Sequence, residues 1–151
     1  MRIGVSLLNN QGIENAHALV DMASRADELG FDSVWVHDHV FNVGHVLDRI
    51  GGRPYYEPMT FLSFVAARTR RVRLGTSVLV LPYHNPVRLA KAGATLDVLC
   101  GGRLVMGVGV GLIEKEMQAM GTPFAERGGY THEAIAVVRA LWGSEEPGFA
   151  G

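Results

Sequence analysis

The feature that most constrains the fold of this chain is a regular alternation of short apolar runs with amphipathic stretches. The apolar runs are rich in β-branched residues and predict four strands, at Ile3–Leu7, Ser33–Val36, Val72–Leu81 and Leu104–Val110. Polar and apolar residues alternate only weakly within them, which is typical of strands buried on both faces of a parallel sheet. The chain is therefore predicted to be an α/β protein.

Stretches with helical periodicity follow the predicted strands. They lie at Asn15–Leu29, Met59–Thr69, Pro86–Cys100 and roughly His132–Trp142. Gly30 predicts a left-handed C-cap for the first helix, and Asn85 predicts the N-cap of the third. The resulting order βαβαβαβα predicts parallel strands joined by right-handed crossovers.

The spacing of the predicted strands favours one architecture. They begin near residues 3, 33, 72 and 103, a mean unit of about 33 residues, and eight such units would form a (β/α)8 barrel of about 270 residues. The 151 residues hold four units, and by length alone they also suit an open, doubly wound sheet. Polar residues and glycines cluster after strands two, three and four, at the edge where both architectures carry their sites.

Composition excludes several classes of function. The 14 basic and 15 acidic residues are evenly spread, so no basic stripe is present to bind nucleic acid. The apolar amino terminus turns polar at residues 9–11, too early for a signal peptide or a membrane span. The single cysteine, Cys100, leaves no internal disulfide, and we therefore expect a cytoplasmic protein.

Three ionisable residues, His37, Asp38 and His39, follow the second strand directly. Ionisable groups at the end of a buried strand are costly unless they are solvated or used, so they are candidate functional residues. A surface turn with a capping aspartate is the simplest alternative. His37 and His39 share a face in an extended strand and could ligate a metal, but glycines stand where strand four would supply a further ligand. We therefore predict no metal.

Small residues interrupt the third and fourth strands. Gly107, Gly109 and Gly111 allow close approach of a flat or phosphorylated ligand, although tight packing of a helix on the strand would also require them. A dinucleotide fingerprint would need a strand ending in an acidic residue about 20 positions later, and the sequence there predicts loop and helix. In strand three, Gly75 followed by Thr76 predicts either a bulge or an ordinary buried strand.

Taken together, four segments resemble the luciferase-like monooxygenase superfamily, and within it the oxidoreductases that use the deazaflavin coenzyme F420. The segments are residues 29–40, 73–86, 94–111 and 121–128, in the family's order over essentially the whole chain. The resemblance implies a (β/α)8 barrel of the bacterial luciferase type. Residues 1–151 would be the N-terminal half of that barrel domain, with its first four βα units.

The resemblance also implies one catalytic residue and a set of cofactor-binding residues. His39 would face the redox-active ring and donate or accept a proton, which suits a side chain that titrates near neutral pH. The cofactor-binding residues would be Asp38, Thr76, Ser77, Val78, Gly107, Gly109 and Gly111. Within this set the Ser77–Val78 peptide bond would be cis, inside a bulge behind the ring.

The implied activity is hydride transfer between coenzyme F420 and a small organic substrate. An FMN-dependent monooxygenase and a truncated, inactive half barrel remain as alternatives, although Asp38 before His39 favours deazaflavin, since FMN relatives more often carry Glu-His. Sugar-phosphate dehydrogenases of the family have a proton-donating glutamate where this chain has Leu112, which argues against that substrate. Four strands taken from a barrel leave two unpaired edges, so we expect a homo-oligomer.

Overall fold

A computed structural model describes residues 1–143 of the chain. Four strands form one sheet: β1 (Gly4–Ser6), β2 (Ser33–Val36), β3 (Arg73–Val80) and β4 (Leu104–Gly109). The helices are α1 (Ala16–Leu29), α2 (His45–Ile50), α3 (Pro58–Arg68), α4 (Pro86–Cys100), α5 (Glu114–Ala119) and α6 (Arg127–Gly143). Every predicted strand and helix is present.

The strands lie in the sheet in chain order, and each neighbouring pair is parallel. A doubly wound sheet changes direction at a switch point, so this order contradicts the open-sheet alternative. Right-handed crossovers between successive neighbours place the connecting helices on one face of the sheet. This is the arrangement of a (β/α)8 barrel.

The core lies between that face and the helices. Val34 and Val36 of β2 and Leu74 and Leu79 of β3 have none of their surface exposed. They pack in one cluster with apolar residues of α1, α3 and α4. Burial of this stripe on each helix is what holds the helices against the sheet.

The opposite face of the sheet is the one that faces the axis in a barrel. Trp35 lies across it, and its Nε1 donates to Ser33 Oγ at 2.8 Å. A Cβ atom on Gly75 would lie 2.3 Å from the indole ring, and one on Gly4 would lie 2.5 Å from it. The two glycines therefore make room for the tryptophan.

Local chemistry explains where elements begin and end. The predicted caps are present: Gly30 has φ 81° after α1, and the Asn85 side chain accepts from two backbone N–H groups of α4. A 3-10 turn at Leu81–Tyr83 ends β3, because Pro82 cannot continue a ladder. The last helix starts at Arg127 rather than near His132.

Two helices, α2 and α5, were not predicted. Each has six residues, which is too short for a recognisable apolar period. Among the helices of residues 1–143, none has the length and hydropathy needed to cross a bilayer.

Candidate active site at the carboxyl edge of the sheet

Most of the predicted site residues meet around one cavity of about 460 Å³ at the carboxyl edge of the sheet. Those on its wall are His37, Asp38, His39, Ser77, Val78, Gly109 and Gly111. Two other cavities, of about 640 and 600 Å³, are larger but contain none of the predicted site residues. The convergence of ionisable groups therefore identifies the smaller cavity as the candidate site.

Two predicted residues, Thr76 and Gly107, lie beneath the cavity rather than on its wall. Thr76 is buried, and its Oγ1 donates to the carbonyl oxygen of Gly107 at 2.8 Å. A Cβ atom on Gly107 would lie 2.3 Å from the Thr76 carbonyl oxygen. This glycine is therefore required by the close approach of β3 to β4.

The predicted bulge in β3 is confirmed. The register of β3 against β4 shifts between Thr76 and Leu79, and the Ser77–Val78 peptide bond is cis. The bulge turns Val78 toward the cavity, where 40% of this residue is exposed. A Cβ atom on Gly109 would lie 2.6 Å from Val78 Cγ2, so the glycine leaves space for that side chain.

Gly111 stands at the point where β4 passes into the loop before α5. Its φ is +73°, and a Cβ atom there would lie 2.6 Å from side-chain atoms of both Met117 and Val80. Packing of α5 against the end of β3 thus accounts for this glycine. The helix packing considered for the glycine run is therefore found at Gly111 only, since Gly107 and Gly109 lie against residues of β3. Gly109 and Gly111 also line the cavity.

Asp38 ties the end of β2 to the end of β3. Its side chain is 3% exposed. Oδ2 accepts from the backbone N–H of Val80 at 2.9 Å and lies 2.8 Å from Nε2 of His84. The carboxylate therefore orders the wall of the cavity from inside the protein.

His39 is joined to a carboxylate that the sequence did not reveal. Its Nδ1 lies 2.8 Å from Oε2 of Glu116, a residue of α5 with none of its surface exposed. The hydroxyl of Tyr83 donates to the same oxygen at 2.8 Å. Oε1 accepts from the backbone N–H groups of Val40 at 2.7 Å and Phe41 at 3.1 Å.

These contacts set the charge of Glu116. Burial alone would raise its pKa, but the hydrogen bonds from His39, Tyr83 and the two backbone N–H groups together hold the pKa below its ordinary value. For Tyr83, burial and the bond to the carboxylate both raise the pKa far above the ordinary value. At neutral pH Glu116 is therefore a carboxylate and Tyr83 a neutral phenol.

His37 lies between the ends of β1 and β3. Its Nδ1 contacts the carbonyl oxygen of Ser77, and its Nε2 lies 3.1 Å from Ser6 Oγ. Because a carbonyl only accepts, Nδ1 carries a proton and both ring nitrogens are occupied. Within residues 1–143, no group of three or more His, Cys, Asp or Glu is arranged to hold a metal ion.

The rest of the cavity wall is partly polar and partly apolar. The Tyr55 ring meets the His39 ring edge-on, with centroids 5.1 Å apart, and burial raises the pKa of this tyrosine. Val78, Val110 and Leu112 form an apolar wall, and Leu112 is 72% exposed. An apolar surface with a few converging polar groups is typical of sites for organic ligands.

The sequence pattern did not reveal two residues of the candidate site, Glu116 and Tyr83. Each stands shortly after a predicted strand, at the carboxyl edge where the site was expected. Their position after these strands was the one feature of the sequence that could have indicated them. Glu116 lies in a helix too short to be predicted, so nothing in the pattern indicated that it would be buried.

Residues 1–151 match a family model described as luciferase-like monooxygenase. An F420-dependent glucose-6-phosphate dehydrogenase of Amycolatopsis mediterranei (strain U-32) is 39% identical over 137 residues, which cover 88% of this chain and 40% of that relative.

Solved structures agree with this comparison. The monooxygenase RslO1 from Streptomyces bottropensis aligns with a TM-score of 0.84 and 32% identity, over 100% of this chain and 46% of its own. An F420-dependent secondary alcohol dehydrogenase in complex with an F420-acetone adduct aligns with a TM-score of 0.80 and 28% identity, over 100% and 46%. The chain thus spans less than half the length of each of these relatives, and its predicted fold, four βα units of a (β/α)8 barrel, is confirmed.

Proposed function

Since the chain belongs to the luciferase-like monooxygenase family, we propose that it forms part of an F420-dependent oxidoreductase acting on a small organic substrate. One observation carries the proposal. His39 lies on the wall of the cavity with its Nδ1 held by the buried Glu116, which leaves Nε2 as the nitrogen that can meet a ligand. Relatives named as F420-dependent dehydrogenases support the choice of cofactor.

The cavity lining fits a flat deazaflavin ring. Val78 and Val110 expose 40% and 45% of their surface there, and this apolar area would leave water when a ring covers it. We infer that Ser77, Val78, Gly109 and Gly111 contact the cofactor. Asp38, which also lies on the wall, would help to hold the cofactor. Thr76 and Gly107 would support that surface from behind the wall.

Coenzyme F420, when bound, supplies the acceptor or donor of the hydride. His39 moves the accompanying proton. In the oxidative direction a C–H bond of the substrate loses its hydride while the adjoining O–H or N–H bond loses its proton to Nε2 of His39, and a double bond forms between the two atoms. The reverse direction returns both, which suits a histidine working near neutral pH.

The acidic residues of the site argue against a sugar phosphate as the substrate. The resemblance assigns proton donation in sugar-phosphate dehydrogenases to a glutamate at the position of Leu112. Glu116 does not replace it, because it is fully buried and accepts four hydrogen bonds. We therefore expect a substrate whose turnover needs only one proton-transferring side chain from this half of the barrel.

An FMN-dependent monooxygenase is the second candidate function. The 32% identity to the monooxygenase RslO1 over the whole chain favours it. The same cavity would then hold the flavin. A catalytically inactive half barrel is the third candidate, and it would bind neither cofactor.

Separate titrations with F420 and FMN distinguish the three candidates. Ligand fluorescence and the melting temperature are followed, since a ligand at 100 times its Kd adds about 2.7 kcal/mol to stability. F420 is expected to raise the melting temperature, and Leu112→Trp should abolish the shift by filling the cavity. Leu99→Trp is the matched control, because Leu99 is 73% exposed and is absent from the cavity wall. A shift with FMN alone would favour the monooxygenase, and no shift with either cofactor would favour the inactive half barrel.

We further propose that residues 1–151 are the N-terminal half of one barrel domain and that copies of this chain associate. Within residues 1–143 the outer edges of β1 and β4 pair with no further strand, and such edges favour association. Light scattering is expected to give a mass of two or more copies, and a monomer of 16.4 kDa would contradict this. A cytoplasmic location is part of the proposal and suits the free thiol of Cys100.

A further inference from the structure

We propose that Glu116 is a positioning residue that fixes the tautomer of His39, so that the imidazole presents an unprotonated Nε2 to the cavity. The consequence for turnover rests on the proposed function, but the tautomer itself can be measured without any reaction. The hydrogen-bond donors around the buried carboxylate of Glu116 decide which tautomer His39 adopts.

Oε1 of Glu116 is committed to the backbone. It accepts from the N–H groups of Val40 at 2.7 Å and Phe41 at 3.1 Å. These groups belong to the segment that follows β2, and as backbone amides they can only donate. The carboxylate is therefore held in one orientation, with Oε2 directed at the side chains of His39 and Tyr83.

Oε2 in turn decides where the proton of His39 lies. It is 2.8 Å from Nδ1 of His39 and 2.8 Å from the hydroxyl of Tyr83. An ionised carboxylate has no proton to give, so both partners must be donors. A neutral His39 then carries its proton on Nδ1 and none on Nε2.

The surroundings keep this arrangement in place. Glu116 and its neighbour Met117 have none of their surface exposed, so water does not compete for Oε2. The rings of Tyr55 and His45 lie edge-on to the His39 ring, with centroid distances of 5.1 and 6.0 Å. His39 itself is 19% exposed, which leaves its remaining edge accessible from the cavity.

Glu116→Gln tests the idea because it should reverse the tautomer. The two backbone N–H groups require an acceptor at the Oε1 position, so the amide oxygen of the glutamine must take that place. Its NH2 group then faces Nδ1 of His39 and can only donate. Nδ1 becomes the acceptor, and the proton moves to Nε2.

The measurement is the ¹⁵N chemical shift of both imidazole nitrogens of His39 in the labelled full chain, at about pH 8, where an ordinary histidine is neutral. The parent protein is expected to show a protonated Nδ1, with its proton far downfield, and a bare Nε2. Glu116→Gln is expected to show the reverse, with the backbone amide shifts of Val40 and Phe41 retained. Tyr83→Phe is the matched variant: it should keep the parental tautomer and move the Nδ1 proton further downfield, because Oε2 then serves one donor fewer.

Several results would overturn the inference. They are a protonated Nε2 in the parent protein, whether as the other tautomer or as an imidazolium, and an unchanged tautomer in Glu116→Gln. If Glu116→Gln does not fold, Tyr83→Phe still decides the matter, since a Nδ1 proton that does not respond to the loss of the phenol is not bound to Oε2.

Kinetics with a reactive substrate separate this inference from the proposed function. We expect Glu116→Gln to lower kcat to within about tenfold of the value for His39→Ala, with the Kd for F420 unchanged. If His39→Ala loses turnover and Glu116→Gln does not, the role of Glu116 is wrong while the proposed function stands. If neither variant loses turnover although the tautomer reverses, the proposed function is wrong and the positioning role stands.

Discussion

Two buried carboxylates, Asp27 and Glu116, lie at opposite edges of the sheet. Both are stabilised by hydrogen bonds from backbone N–H groups, but their roles differ. Asp27, at the end of α1, accepts from the backbone N–H groups of Arg70 at 2.9 Å, Arg71 at 2.8 Å and Val72 at 2.7 Å. Glu116 at the carboxyl edge also accepts backbone N–H groups. For each, burial alone would raise the pKa, and hydrogen bonds bring the pKa below its ordinary value.

The difference lies in the donors. Asp27 is bound by the turn that leads into β3, so its charge orders the backbone of that turn. Half of the donors to Glu116 are titratable side chains, His39 and Tyr83, and both of these line the candidate site. A buried carboxylate thus indicates a functional site only when it is hydrogen-bonded to side chains that can themselves take part in a reaction.

The largest effect is expected at the carboxyl edge. His39→Ala should lower kcat by about 10²–10⁴-fold, because a positioned proton-transferring side chain typically contributes that much. The Kd for F420 should change little, since the apolar wall of the cavity is untouched. Steady-state kinetics and a fluorescence titration measure the two quantities, and an unchanged kcat would remove His39 from the reaction.

At the amino edge the corresponding change should affect stability. Asp27→Ala leaves three backbone donors without their acceptor and should lower the free energy of unfolding by roughly 2–4 kcal/mol. For a chain of this length that corresponds to a fall in Tm of roughly 10 °C. Asp21→Ala on the same helix is the control, because its side chain is 70% exposed and its change should stay within about 0.5 kcal/mol. Equal falls in Tm for the two variants would contradict the stabilising role assigned to Asp27.

Lowering the pH should reduce the stabilisation that Glu116 and Asp27 provide at the two edges of the sheet. The ordinary pKa values are 4.5 for Glu116 and 3.8 for Asp27, and folding lowers both. The unfolded chain therefore takes up the protons first, so the stabilisation is complete above these values and is lost as the pH falls below them. Each carboxyl contributes at most about 1.4 kcal/mol per pH unit in that range. Urea unfolding from neutral pH down to about pH 3 should show this slope, and it should be shallower in Asp27→Asn and in Glu116→Gln.

Sequence periodicity predicted the strands and helices well because the βα units are long and their caps are local, but the choice of a barrel over an open sheet came from the family resemblance. Gly30 and Asn85 end and begin helices through bonds within a few residues, which a pattern can reveal. The bulge at Ser77 and the position of His39 at the site were implied by the family resemblance, not by the periodicity.

Contacts between distant residues were not predictable in this way. Glu116 meets His39 across 77 positions of sequence, and only the parallel order of the strands brings them together. Gly107 was predicted as a cofactor-binding residue, and the pattern did not reveal that it also lies against Thr76, where β3 and β4 approach closely. A glycine pattern does not distinguish a neighbouring strand from a ligand.

The smallest effects should come from the side chains that accompany each carboxylate. Tyr83→Phe removes one donor from Glu116 but leaves Oε2 bound to His39, so it should cost about 1 kcal/mol of stability. Arg71→Met removes an exposed guanidinium that binds the backbone carbonyls of Asp27 and Glu28, and solvent screening limits its effect to roughly 0.5 kcal/mol. Added salt should change the first cost little, because the phenol bond is buried, and should reduce the second. Urea unfolding at low and high salt measures both, and a salt-sensitive Tyr83→Phe would mean that water reaches Glu116.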